Sequence, residues 1–83
     1  MALKIERVIS WFDKTSEELS GEYNVDHIGL EILKKIFDPK KEDPLMYDPY
    51  TISSKEAKEI SQYLNDFVFD FENFIYQIDC FQA

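Results

Sequence analysis

The sequence predicts an α+β fold, a three-stranded antiparallel sheet in the order β-β-α-α-β with two helices on one face. Three observations carry this. Apolar and polar residues alternate in two early runs and one late run. Between them, two stretches repeat apolar residues at spacings of three and four, the helical period. All three prolines fall in "DPKKEDPLMYDPY", residues 38–50, which marks one substantial loop. The 83 residues make one domain, 1–83. A chain this short buries only roughly 60 to 65% of its unfolded surface, and an aromatic fraction of 16% supplies core volume that length does not.

Each element follows from local pattern. Residues 3–12, "LKIERVISWF", place Leu3, Ile5, Ile9 and Trp11 on one face and Lys4, Glu6 and Ser10 on the other, with Arg7 on the apolar side. After the polar turn "DKTSEE", Leu19, Gly21, Tyr23 and Val25 alternate again, so the two runs form a hairpin. Gly21 marks either a bulge or a close approach to the sheet. Asp26 is the expected cap of a helix carrying Leu30, Leu33, Ile36 and Phe37, which ends by Asp38 because Pro39 disfavours helical geometry before it. Ser53 with Glu56 is a capping box that opens a second helix bearing Ala57, Ile60, Leu64 and Phe67. "FIYQIDCF" is the third strand, expected beside the first, with its aromatics against Ile9 and Trp11.

Charge and cysteine content narrow the function. Seventeen acids against nine bases, net charge −8, argue against DNA, RNA and anionic lipid, whose phosphates are bound by Lys and Arg. A basic protein partner suits this surface better. The acids Glu59, Asp66, Asp70, Glu72 and Asp79 have no base beyond Lys58 to balance them. A lone cysteine, Cys80, allows no internal disulfide, which points to a cytoplasmic setting. Lys4, Glu6 and Arg7 interrupt the N-terminus as no signal peptide would, and no window approaches a membrane span.

No cofactor or metal is expected, and no catalytic motif is present. His27 is alone in the chain, with no partner ligand nearby, and reads as an ordinary first-turn residue. Cys80 lies among apolar and acidic neighbours that keep a thiol protonated. The carboxylate pairs Glu17 with Glu18 and Asp70 with Glu72 lack an enclosing cleft for acid/base work. Asp38, Glu42, Asp43 and Asp48 lack the alternation and bend glycine of a calcium loop, with lysines in their midst. Arg7 needs a partner on its apolar face, Asp79 or Glu22, or else contributes to a binding site.

Two stretches remain as candidate contacts. In "DPLMYDPY", Pro44 and Pro49 stiffen a loop carrying Met46, Tyr47 and Tyr50, which either close the core or meet a partner. "FVFDFENF" sets Phe67, Phe69 and Phe71 among carboxylates without a base, as suits electrostatic attraction followed by apolar sealing. The expected partner-binding set is therefore Glu17, Glu18, Asp70 and Glu72 for steering, with Met46, Tyr47, Tyr50, Phe69 and Phe71 as anchors. An exposed final strand could instead pair with a second copy as a homodimer.

"RVISWFDKTSEELSGEY", residues 7–23, together with "DPLMYDPY" and "FIYQIDC", resembles a group of short, functionally uncharacterised bacterial domains. In these an Arg-bearing strand leads into a Phe-Asp-Lys turn, then a Gly-Glu strand, an Asp-Pro-Met-Tyr-like loop and an aromatic strand. Leu45 departs from that loop pattern. The group brings no catalytic residues, and some such acidic proteins resemble immunity proteins that neutralise toxins in interbacterial competition. The resemblance implies an inhibitor of a basic toxin or nuclease. The alternatives are a homo-oligomeric accessory domain and a phage-derived inhibitor that mimics nucleic-acid charge.

Overall fold

A computed structural model describes residues 5–82. Strands β1 (Ile5–Asp13) and β2 (Leu19–Asn24) precede a 3-10 turn at Asp26–Ile28 and helix α1 (Leu30–Phe37); β3 (Tyr50–Ile52), α2 (Ser54–Ser61) and β4 (Phe74–Gln82) follow. The α+β class holds, but the sheet has four strands, in the order β2-β1-β4-β3, all paired antiparallel. The unforeseen strand is β3. Its three residues are too few to show alternation, and Pro49 suits the position just outside a short edge strand, where its missing N–H leaves no ladder bond unmade.

The final strand is therefore central along Tyr76–Ile78, between β1 and β3, and the sheet edges are β2 and β3. It pairs beside β1 as expected, with Ile9 opposite Ile78 and Trp11 opposite Tyr76. These residues share the face on which both helices pack. Ile9, Ile52, Tyr76 and Ile78 meet Leu33, Ala57 and Ile60 in one buried core.

Gly21 serves both readings that its position allowed. The register slips between Trp11 and Phe12, opposite Gly21 and Leu19, and the Trp11 indole lies directly over Gly21, where a Cβ would come within 2.3 Å of the ring. The bulge has a further effect. It switches Leu19 from the core side to the outer side, paired with Phe12, and leaves it 54% exposed.

Three other expectations are corrected. Asp26 does not cap α1: its carboxylate accepts the Arg7 N–H at 2.8 Å and the Asn24 side-chain amide at 3.1 Å, while Gly29, at φ 86°, occupies the position before the helix. The second helix stops at Ser61, short of Leu64 and Phe67. Its continuation is drawn off by β2 and the 3-10 turn, since the Tyr23 hydroxyl donates to the Asn65 carbonyl at 3.1 Å and His27 Nε2 to that of Tyr63 at 2.8 Å. Third, Arg7 does not meet Asp79 or Glu22. These pair with Val8 and Ser10, on the opposite face, and Arg7 Nη2 instead donates to the Leu45 carbonyl at 2.6 Å. The Ser53–Glu56 capping box is present, with the Ser53 N–H 2.9 Å from the Glu56 carboxylate, and α1 ends at Asp38 in a left-handed conformation, φ 47°.

Candidate functional site

The proline loop is organised by Asp43, which is 7% exposed. It accepts from the Tyr47 N–H at 2.7 Å, the Asp48 N–H at 3.0 Å and the Tyr50 hydroxyl at 2.7 Å. Burial works against its ionisation, yet these donors outweigh it and hold the carboxyl below its ordinary value. Lys40 pairs with Asp48 at 2.8 Å. Asp43 thus engages the loop's own backbone and Tyr50, Asp48 engages Lys40, and no cluster suited to a metal ion occurs among the described residues.

This arrangement divides the loop candidates. Met46 is 2% exposed and belongs to the core, where it closes the fold. Tyr50 is half-buried and opens β3, bonded to Asp43. Tyr47 alone of the three is open to solvent, at 50%. It helps to line a cleft of about 300 Å³ with Ile5, Cys80, Phe81 and Gln82. Burial raises the Cys80 thiol above its ordinary value, against the opposing charge of Arg7, which keeps it in the unreactive form.

The tail aromatics also pack inward. Phe69 and Phe71 stack at 5.6 Å and meet the Tyr76 ring edge-on at 4.8 and 5.4 Å, while Phe67 lies between Trp11 and Tyr23 at 5.3 and 5.0 Å. All three are half-buried beside the core. These rings pack against Tyr76 within the fold.

The predicted acids, by contrast, converge. Asp13 shapes the β1–β2 turn by accepting the Thr15 and Ser16 N–H groups at 2.8 and 2.9 Å, and these bonds, Ser16 first, hold its carboxyl below the ordinary range. Asp70 shapes the turn before β4 by accepting the Glu72 N–H at 3.2 Å and the Asn73 amide at 2.8 Å. The Lys14 N–H donates to the Asn73 carbonyl at 3.0 Å, joining the two turns. Glu17, Glu18 and Glu72 consequently stand exposed at the same end of the sheet. The cleft beside Tyr47 lies at the other end, about 27 Å away by strand length.

Pattern reading missed the apolar residues next to this acidic end. Leu19 and Ile75 flank Phe12 across the outer face, at 54% and 47% exposure. Ile75 lies opposite the face that carries Phe74, Tyr76 and Ile78, while Leu19 was assigned inward because Gly21 left open whether the strand bulges there, and only the register slip turns Leu19 outward.

One family model, that of a domain of unknown function, DUF7683, matches residues 6–79. No curated protein and no solved structure matches the chain.

Proposed function

The chain belongs to that family of unknown function, and from this premise we propose that it is a non-catalytic, cytoplasmic protein-binding domain, an immunity-type inhibitor of a basic toxin or nuclease. One observation carries the reading: two separate turns bring Glu17, Glu18 and Glu72 to a single end of the sheet, beside exposed apolar side chains. Clustered carboxylates raise the encounter rate with a cationic protein, by roughly 10- to 1,000-fold for well-focused fields. Adjacent apolar surface then slows dissociation. The described lysines other than Lys14 lie on α1, on α2 or in the loop between α1 and β3, and none belongs to the strand rows of the sheet's outer face.

The test has two stages. Tagged protein is used to capture partners from its native lysate, and the recovered gene is then expressed alone and with this chain. A stoichiometric basic partner whose expression arrests growth, with growth restored by co-expression, is the expected result. A partner that is acidic, or whose effect on growth is the same with and without this chain, overturns the reading.

A further inference from the structure

The outer face of the sheet combines an apolar row with carboxylates. Strand pairing puts Leu19, Phe12 and Ile75 in one row across β2, β1 and β4, and Glu22, Ser10, Gln77 and Thr51 in the row two residues on. Next come Asn24, Val8 and Asp79, then Glu6 opposite Phe81. No described Lys or Arg belongs to these rows, because Arg7 points to the core side and the lysines lie in the first turn, the helices and the long loop. Both helices pack on the opposite face.

An antiparallel sheet commonly leaves one face to solvent, but that face is then expected to be polar. Here the row nearest the acidic turns is wholly apolar. The bulge creates it: without the slip opposite Trp11, Leu19 would return to the core side and the row would be broken. Apolar residues side by side, bordered by charge that is mainly negative, with Glu22 in the next row and Glu18 and Glu72 in the adjoining turns against Lys14, are the makeup of a docking surface.

We propose that this outer face, anchored by Phe12, Leu19 and Ile75 and bordered by Glu18, Glu22 and Glu72, docks a protein whose matching patch is apolar and edged with Lys or Arg. The proposal rests on the binding reading above and specifies where the contact is made. Charge decides the occupant. A second copy packed face to face would set the same carboxylate border against itself, at a Coulomb cost in every isologous arrangement. A basic partner removes that cost and neutralises the border. Phe69 and Phe71 then act behind the contact, holding the turn that carries Glu72.

The probe is a displayed library of short amphipathic peptides, apolar on one side, with the remaining positions drawn equally from Lys, Glu and Ser. Selection on the intact protein is expected to enrich peptides of net positive charge. These should bind the Leu19→Ser/Ile75→Thr double variant roughly tenfold more weakly, and bind Val68→Ser, 85% exposed and outside the strand rows, as well as the parent. Circular dichroism confirms that each variant is folded. Basic peptides indifferent to the double variant would overturn the assigned surface while leaving a basic partner in place. Enriched peptides without net positive charge would overturn both readings. A molecular mass by light scattering of twice 9.9 kDa, lost in the double variant, would give the face to a second copy and overturn the proposal.

Discussion

Single residues set the shape of the face. Gly21 is required because Trp11 occupies the space of its missing side chain, and Gly21→Ala is expected to lower stability by about 1 to 3 kcal/mol in urea denaturation, as overpacking does. An unchanged midpoint would mean that the indole moves aside freely. Ser10 is the converse case. It is 1% exposed and its hydroxyl has no hydrogen-bond partner, so Ser10→Ala is expected to leave stability unchanged or raise it by up to about 1 kcal/mol. A clear loss in the same assay would show that the hydroxyl is bonded in solution. The glycine's role was legible in sequence because both available explanations, bulge and close approach, follow from a missing Cβ. The orphaned serine was not, since alternation gives the face of a residue but not how tightly neighbouring side chains enclose it.

Elements stand or fall on their turns and caps. Ser53→Ala should cost about 1 kcal/mol by removing half of the box that starts α2. The proline loop depends on ionised Asp43. Its folded pKa lies below the unfolded one, so the stabilisation is complete above the unfolded value and disappears as pH falls through the folded value. Asp13 and Glu56 are shifted in the same direction, Glu56 chiefly by the Ser53 hydroxyl. Thermal unfolding of the parent should therefore be flat near neutrality and fall below about pH 4. Asp43→Asn should melt lower at neutral pH and approach the parent in acid; parallel curves would remove Asp43 from the account. Capping boxes and X-Pro stops can be read from sequence because they are local. The end of α2 could not be, because Leu64 and Phe67 keep the helical spacing and the competing bonds from Tyr23 and His27 arrive from residues far away in the chain. For β3 the obstacle was length, as a three-residue strand acquires its identity only by pairing with Tyr76–Ile78.

At the scale of the whole molecule, the chain distributes its charge unevenly. The helices and the loop between α1 and β3 hold the described lysines apart from Lys14, mixed with carboxylates such as Glu42 and Glu59, whereas the strand rows of the outer face hold Glu6, Glu22 and Asp79 with no described Lys or Arg, and an apolar row lies beside them. The greasy and acidic ending of the sequence is divided in the same way. Phe67, Phe69, Phe71, Phe74 and Tyr76 pack at or beside the core, whereas Glu72 and Ile75 face outward. Composition alone revealed the acidity and the aromatic surplus, but which residues share a surface depended on register.

Whether this acidic, apolar-centred face meets a basic protein is read from the association rate of a captured partner as a function of salt. For the parent the rate should fall steeply as salt rises, and Glu18→Lys/Glu72→Lys, which leaves the Asp13 and Asp70 turn bonds in place, should lower it roughly tenfold at low salt with little change in melting temperature. Equal rates for parent and variant at every salt concentration would contradict the account.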